Sequence, residues 1–263
     1  MSAGNWQSLS DELDRWHETG ATATFWWRDD DALEWTPQLE VLLGHAGTIP
    51  LALAVTPALA SPELAERLRG RASVVVLQHG WRHVNHLPGG LDEYPADRPE
   101  DDVSRELLEG RLLLAAQFNA QAIPVFVPPF HAFDDRFLPL LRPSGITGIS
   151  KKGPRPAPFA ADGVLQINAQ VSPIRWSDPP SFGDESIYLD AIVDHLCGRR
   201  TGRYDRAEPT GLLTHHLFQD ARSYEFIARF VESVSQHPAT TWLDAREMFG
   251  VQDARRHKRA SSA

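Results

Sequence analysis

The strongest constraint on the fold is a repeated alternation of short apolar segments with longer amphipathic ones along the 263-residue chain. Several short segments, such as 49–55 and 73–78, are apolar at almost every position, which is typical of parallel strands buried on both faces. The longer segments carry helix signals, and 37–46 begins with a proline after the capping residue Thr36. This alternation predicts an α/β protein with a parallel sheet, either closed as a barrel or doubly wound.

We predict strands separated by helices, with two long loops that interrupt the pattern. The predicted strands are 21–27, 49–55, 73–78, 124–127, 146–150, 164–168, 211–214 and 240–243. The predicted helices are 37–46, one beginning at Ser61, 101–121, 134–141, 184–196 and 221–237. Loops 87–99 and 153–180 are rich in proline, glycine and aspartate, and we expect them to border a site at the carboxyl ends of the strands.

Length and charge limit the domain organisation and the class of partner. The chain suits a single barrel domain at residues 1–250, followed by a flexible basic tail at 251–263. The net charge of −9 argues against nucleic acid as a partner, and no apolar run reaches the roughly 18 residues of a membrane span. The N-terminus lacks the apolar core of a secretory signal, and the single Cys197 cannot form an internal disulfide. We therefore expect a cytoplasmic enzyme, whose oligomeric state the sequence leaves open.

The first polar cluster is Arg28-Asp29-Asp30-Asp31, directly after the predicted strand 21–27. Three adjacent carboxylates repel one another, and a divalent cation would relieve that repulsion. A solvated acidic turn that caps the next helix is the ordinary alternative. The cluster is a candidate metal site on this reasoning.

The second cluster follows the predicted strand 73–78 and contains His79, His83 and His86. In one helical turn His79 and His83 would lie on the same face, with Cβ atoms about 5–6 Å apart. That arrangement suits two ligands of one metal ion. The ordinary alternative is a set of surface histidines or histidines hydrogen-bonded in the core.

The third cluster is His215-His216, which follows the predicted strand 211–214. A histidine at the carboxyl end of a buried strand is well placed for proton transfer. The ordinary alternative is one buried, hydrogen-bonded histidine beside an exposed one. Because all three clusters follow strands of one sheet, we expect them to converge at one edge of it.

Four short motifs occur in the order found in the polysaccharide deacetylases. They are Asp29-Asp30, His79-x-x-x-His83, Pro129-Phe130 and Leu213-Thr214-His215. From about residue 22 to about residue 220 the chain resembles this family, the NodB-homology or carbohydrate esterase family 4 superfamily. The resemblance implies a distorted (β/α)₇ barrel, a role in carbohydrate metabolism, and a divalent metal, usually zinc, with cobalt, nickel or iron as alternatives.

The resemblance also implies roles for the matched residues. Asp29 resembles the general base and His215 the general acid, while Asp30, His79 and His83 resemble the metal ligands. Three protein ligands leave a position on the metal for water, whose pKa the metal lowers. The expected substrate pocket contains Pro129 and Phe130, which match the family's acetyl-pocket wall, together with Arg28, Asp31, His86, His131, Trp176 and His216.

One departure from the family pattern concerns the arginine that steadies the catalytic base. This arginine of the third motif aligns with Val127 here. Arg28 could replace it, although strand alternation points Arg28 away from Asp29 unless the chain bends. The identity of the group that supports the base therefore depends on the path of the first strand.

Two further departures leave residue roles open. Asp31 replaces the family's glycine, so a slip of one residue would make Asp30 the base and Asp31 the metal ligand. His216 stands where the family often has aspartate, so either His215 or His216 could be the acid.

Three functions are compatible with these patterns. The first is a metal-dependent hydrolase that uses metal-activated water to remove an acetyl or other acyl group from an N-acetylated sugar or related amide. The second is a cytosolic amide or formamide hydrolase acting on a small molecule. The third is a non-catalytic relative that binds a sugar or a partner, which the missing family arginine would favour. In the enzymatic readings the partner is a small molecule or a saccharide.

Overall fold

The computed structural model describes residues 5–251, in which strands and helices alternate as the apolar pattern predicts. The strands are β1 (Ala23–Ala32), β2 (Leu51–Val55), β3 (Val74–His79), β4 (Ala122–Val127), β5 (Gly148–Ile149), β6 (Phe159–Ala161), β7 (Val164–Gln166), β8 (Thr210–Thr214) and β9 (Thr240–Trp242). The helices are α1 (Trp6–Glu18), α2 (Pro37–Ala46), α3 (Pro62–Leu68), α4 (Glu100–Phe118), α5 (Leu138–Leu141), α6 (Glu185–Thr201), α7 (Ala221–Gln236) and α8 (Ala245–Met248). The predicted basic tail lies outside the described residues except for Val251.

Within residues 5–251, seven parallel strands form the barrel in the order β7-β5-β4-β3-β2-β1-β8, with β6 antiparallel to β7 and β9 beside β1. The two ends of this order meet because the segment after β7 runs parallel to β8. The amide of Gln170 donates to the carbonyl of Gly211 at 3.0 Å, and the amide of Leu213 donates to the carbonyl of Val171 at 2.7 Å. The predicted barrel is therefore confirmed.

The two faces of each strand belong to two separate apolar layers. Inside the barrel Trp26 packs with residues of the neighbouring strands, including Ala52, Val75 and Val125. On the outside Trp27 packs with residues of the helices, including Leu39 and Phe226. Because side chains alternate along a strand, Arg28 and Asp30 share the inner face with Trp26, and Asp29 shares the outer face with Trp27.

The helical predictions are confirmed where the apolar stripe is clear. Helix α2 has the predicted bounds, with the Thr36 hydroxyl accepting from the amide of Leu39, and α4 covers most of the predicted segment 101–121. Helix α1 was not predicted, although Asn5 caps it and its Leu9, Leu13 and Trp16 are buried. No helix of the described segment 5–251 has the length and apolar character needed to cross a membrane.

The prediction that the acidic cluster follows the first strand was wrong, because β1 continues through it to Ala32. Asp29 pairs with Leu53 of β2 on one side and with Thr214 of β8 on the other. The ladder can extend through charged residues because their side chains find partners on each face of the strand. The register then shifts between Asp29 and Ala32, where Asp31 has a left-handed φ of 66°.

Candidate functional site

Three side chains at the carboxyl end of the barrel converge on one point. Among the described residues, Asp31, His79 and His83 form a group whose potential ligand atoms all lie within 4.8 Å of one another. The Oδ1 atom of Asp31 is 3.0 Å from Nε2 of His79 and 3.1 Å from Nε2 of His83. Neighbouring strands β1 and β3 flank β2, so residues far apart in sequence meet here.

The two histidines meet without the helical turn that their spacing suggested. His79 ends β3, and residues 80–84 form no helix. Gly80 and His83 both have left-handed backbone conformations, with φ of 56° and 57°. This turn brings the two imidazole centroids to 5.1 Å. The prediction of adjacent ligands is therefore compatible with the geometry, whereas the predicted helical turn was wrong.

The hydrogen bonds of His79 fit a metal ligand. Its Nδ1 donates to the carbonyl of Val127 at 3.0 Å, because a carbonyl can only accept. In the neutral imidazole the lone pair on Nε2 then faces the carboxylate of Asp31 at 3.0 Å, so two acceptors face each other. A cation between them would relieve this contact, and a backbone carbonyl on the second nitrogen is a common support of metal-bound histidine. These residues therefore fit a divalent cation.

Charge balance at this group involves opposing effects of burial and ionic contacts. Burial favours neutral Asp31, but the imidazoles of His79 and His83 outweigh burial and hold the pKa of this carboxyl well below its usual range. Burial also lowers the pKa of His79, while Asp31 and Asp30 raise it to a net value above the ordinary one. The acidic side chains thus stabilise positive charge at this point.

Asp30 does not belong to the converging group, which contains Asp31 in its place. Nε and Nη2 of Arg28 donate to Oδ1 and Oδ2 of Asp30 at 2.8 and 3.0 Å, and both side chains are fully buried. Arg28 is held in turn by Ser150, whose carbonyl and hydroxyl accept from Nη1 at 3.0 and 2.5 Å. Burial disfavours the Asp30 carboxylate, but Arg28 and the nearby histidines together outweigh burial and lower the pKa of Asp30.

Asp29 is fully buried between β1 and the turn after β8, on the outer face of the strand. Its Oδ1 accepts from Nδ1 of His216 at 2.5 Å, and its Oδ2 accepts from the Thr214 hydroxyl at 2.6 Å and the His216 amide at 3.0 Å. Burial lowers the pKa of His216, but Asp29 raises it to a net value above the ordinary one. The chain therefore ties this turn to β1 through one carboxylate.

His215 is buried within electrostatic range of Asp30, Asp31 and Asp29. It is 5% exposed, and its Nδ1 is buried without a hydrogen-bond partner in residues 5–251. Burial lowers the pKa of His215. The ring of Trp176, itself 52% exposed, contacts His215 edge-on with centroids 4.9 Å apart. Trp176 thus lies where the site opens to solvent.

The segment after β4 forms a wall next to the converging group. The ring of Phe130 lies 4.5 Å from that of His83, and Pro129 is buried against the turn at Gly80. His131 lies 6.4 Å from His215, and burial followed by the charge of Arg28 lowers its pKa to about 3. By contrast, the side chain of His86 is exposed and lies outside the converging group.

Strained backbone is concentrated around this site. Asp31, His83, Phe130 and His131 all have φ values between 56° and 66°. Such left-handed conformations are uncommon for residues other than glycine, and they persist where surrounding contacts enforce them. Their clustering around one group of ligand atoms is typical of a functional site.

Sequence reasoning missed Glu93 and Ser150. Glu93 is 1% exposed and accepts hydrogen bonds from the amides of Trp81, Arg82 and Val84, which surround His83. It belongs to a loop without periodicity, so no sequence signal indicated its burial. Ser150 holds Arg28 from across the barrel, and its position after β5 was the only available signal.

Comparisons with solved structures place this fold among known ones. A proposed polysaccharide deacetylase from Mycobacterium smegmatis has a TM-score of 0.63 and 16% identity, with 92% of each chain covered. A family 4 acetyl xylan esterase from Clostridium thermocellum, solved with cobalt, has a TM-score of 0.53 and 12% identity over 87% of this chain and 91% of that one. A mutant of a carbohydrate esterase family 4 pseudoenzyme with restored activity has a TM-score of 0.54 and 14% identity over 87% and 68%.

Beyond the short motifs, the likeness is found by comparing structures and not by comparing whole sequences. No protein-family profile matches the chain, and a search of curated sequences finds no relative. Identities of 12–16% at TM-scores from 0.53 to 0.63 relate the folds alone. The chain has the NodB-type fold of the carbohydrate esterase family 4 polysaccharide deacetylases.

Proposed function

We propose that this protein is a metal-dependent hydrolase that removes an acetyl or other acyl group from an N-acylated sugar or a related amide. The observation that carries the proposal is the convergence of Asp31, His79 and His83 at the carboxyl end of the barrel. A carboxylate with a fixed guanidinium partner and a buried histidine belong to the same end. The fold neighbours described as deacetylases and esterases support the acyl chemistry.

In this proposal Asp31, His79 and His83 hold the cation, which corrects the first assignment of Asp30 as the ligand. The slip of one residue follows from the left-handed backbone at Asp31, which turns its carboxylate toward the histidines. A divalent cation, for which zinc is our first choice, supplies Lewis acidity and lowers the pKa of a bound water. The carbonyl of Val127 fixes the His79 imidazole so that its Nε2 lone pair is directed at the site.

Asp30 is the proposed general base, and Arg28 takes the part of the family arginine. The guanidinium fixes both carboxylate oxygens, each of which keeps a second lone pair that can accept a proton from water. Asp29, the first assignment for the base, already accepts three hydrogen bonds on the outer face of β1. Strand alternation thus separates Asp29 from Asp30, and only Asp30 shares the inner face with Arg28.

His215 is the proposed proton donor to the departing amine. Because burial lowers its pKa, its imidazolium is a stronger acid than that of an exposed histidine. Proton donation matters for an amide, because an amine leaves poorly as an anion. His216 is bound through Nδ1 to Asp29, so it serves to hold the turn that carries His215.

Substrate contacts are proposed for the residues that border His83 and His215. Phe130 and Pro129 would line the acyl group, and His131 and Trp176 would border the remainder of the substrate. His86 is exposed and lies outside the converging group, so we do not assign it a substrate contact. The cytoplasmic location and the single domain at 1–250 remain predictions.

The non-catalytic alternative is less favoured, because the guanidinium that the third motif lacks is present at Arg28. That alternative rested on the missing third-motif arginine at Val127. Arg28, two residues earlier on the same face of β1, supplies a guanidinium to the carboxylate of Asp30 instead. One fold neighbour is described as a mutant of a pseudoenzyme with restored activity, so the fold is compatible with active and inactive members. A direct test of activity is therefore needed.

The test is metal analysis and product release with protein purified without chelators. We expect one divalent ion per chain, and acyl release from soluble N-acetylated sugars that is lost in Asp31→Asn. Comparison of monosaccharide, oligosaccharide, acetylated xylan and formamide substrates separates the sugar deacetylase from the small-molecule amidase. A wild-type protein that neither binds zinc or cobalt nor hydrolyses any of these substrates would refute the proposed function.

A further inference from the structure

The turn that carries His83 is built around the buried carboxylate of Glu93. Oε1 of Glu93 accepts from the amide of Arg82 at 2.8 Å and from that of Val84 at 3.4 Å, and Oε2 accepts from the amide of Trp81 at 3.2 Å. These amides lie on both sides of His83 in sequence. A carboxylate that accepts from several amides of one turn is a strong fixed contact for the backbone.

The side chains of Glu93 and Pro129 fill the space beside Gly80. A Cβ atom at Gly80 would lie 2.0 Å from Oε2 of Glu93 and 2.5 Å from Pro129. Gly80 has a φ of 56°, so both its conformation and its close contact require glycine. The carboxylate therefore occupies the space that a side chain at position 80 would need.

The charge of Glu93 has no ionic partner in the described residues. Arg98, the arginine of the loop 87–99, pairs with Glu106 through two contacts of 2.8 Å and donates only to the backbone carbonyl of Glu93. Burial of a carboxylate without a cation is costly, and here the backbone amides of the turn offset that cost. The buried carboxylate therefore stabilises the conformation of residues 81–84.

We infer that Glu93 is a positioning residue for the metal ligand His83. This inference rests on the proposed function, because it assumes that His83 binds the cation. His83 adopts a left-handed φ of 57°, which an isolated turn would populate rarely. The three hydrogen bonds to Glu93 hold that conformation, and it directs Nε2 of His83 to 3.1 Å from Asp31. Glu93 touches neither the cation nor the substrate in this role.

The test compares Glu93→Gln with the matched control Glu106→Gln. Glutamine keeps the shape of Glu93 but places an NH₂ group against backbone N–H groups, so at least one contact becomes a clash of two donors. Glu106→Gln weakens the anchor of the same loop through Arg98 without touching residues 81–84. Both variants are expected to lower stability, so urea denaturation of the metal-free proteins measures the general effect of each.

The deciding readout is titration with Co²⁺, followed by its visible absorption. We expect Glu93→Gln to bind Co²⁺ about 10–100-fold more weakly than wild type, with a changed absorption spectrum. We expect Glu106→Gln to keep the wild-type affinity and spectrum. Should Glu93→Gln fail to fold, Glu93→Asp withdraws the carboxylate by one methylene and is expected to show the same loss of affinity.

Two results would contradict the inference in different ways. Unchanged Co²⁺ affinity and spectrum in Glu93→Gln, or an equal loss in Glu106→Gln, would overturn the positioning role and leave the proposed function intact. Absence of Co²⁺ binding by the wild-type protein would overturn the proposed metal site and this inference with it.

Discussion

The replacement Asp30→Asn tests the buried pair that we place at the centre of the acid–base chemistry. Asparagine preserves the shape of the side chain but leaves the Arg28 guanidinium, which is 0% exposed, without its counter-charge. Two N–H donors of Arg28 contact Asp30 at 2.8 and 3.0 Å, and each such charged hydrogen bond contributes about 1.5–3 kcal/mol. Loss of one partner of a buried pair costs about 3–5 kcal/mol.

The expected loss for Asp30→Asn is near the lower end of that range, about 3 kcal/mol, since asparagine retains one acceptor. Ser150 and the Lys151 carbonyl continue to bind Nη1 of Arg28 and limit the damage. Urea denaturation of the metal-free protein measures this loss. In a double-mutant cycle the further change Arg28→Met removes the unpaired charge, so the double variant is expected to lose less than the sum of the single losses.

Kinetics and metal binding complete this test. If Asp30 is the general base, Asp30→Asn lowers kcat by about 10²–10⁴-fold while the affinity for Co²⁺ stays near that of wild type. The matched variant Asp31→Asn is expected to lose metal and activity together. A loss of stability below about 1 kcal/mol, or strictly additive effects in the cycle, would show that the pair is not the coupled buried unit that the contacts indicate.

Three further predictions concern other groups. Asp29→Asn is expected to loosen the turn that carries the proton donor His215. The rate of hydrolysis of an acetamide should then fall more than that of p-nitrophenyl acetate, because the nitrophenolate leaves without a proton. Equal losses for the two substrates would contradict the role of Asp29 in holding this turn. His195 of α6 is 2% exposed, with Nδ1 2.9 Å from the Thr210 hydroxyl. Burial lowers its pKa, so the unfolded chain gains a proton first as the pH falls below about 6.5 and stability decreases there. His195→Gln is therefore expected to flatten the dependence of the unfolding free energy on pH between pH 7.5 and pH 5. An unchanged slope would contradict the contribution of His195 to this dependence. Zinc at about 100 times its Kd is expected to raise the unfolding free energy by about 2.7 kcal/mol, an increment that Asp31→Asn should abolish and that chelation should reverse.

The apolar pattern was sufficient to predict a parallel sheet and the edge of it at which the candidate site lies. Strands such as β2 and β3 are apolar at nearly every position, and this pattern follows directly from burial on both faces. The polar residues that follow β3 and β8 gather because parallel strands end at the same edge. Periodicity therefore predicted a parallel α/β sheet and the approach of His79, His83 and His215 to one edge of it, while the choice of a barrel came from the family resemblance.

The roles of the adjacent aspartates could not be settled from spacing. Their assignment depends on which face of β1 each one occupies and on the left-handed backbone at Asp31. Strand alternation correctly separated Arg28 from Asp29, but the pairing of Arg28 with Asp30 required knowledge that β1 continues through the cluster. The buried position of Glu93 could not be predicted from the sequence, because its contact with the amide of Arg82 joins two segments that lack periodicity.

The most direct test of the central claim is the anomalous diffraction of crystals loaded with zinc. Our account predicts a single strong peak per chain bound by Asp31, His79 and His83, with Zn–N and Zn–O distances of about 2.0–2.2 Å and with Asp30 still paired to Arg28. A peak coordinated by Asp30 or Asp29 in place of Asp31, or no peak near the two histidines, would contradict it.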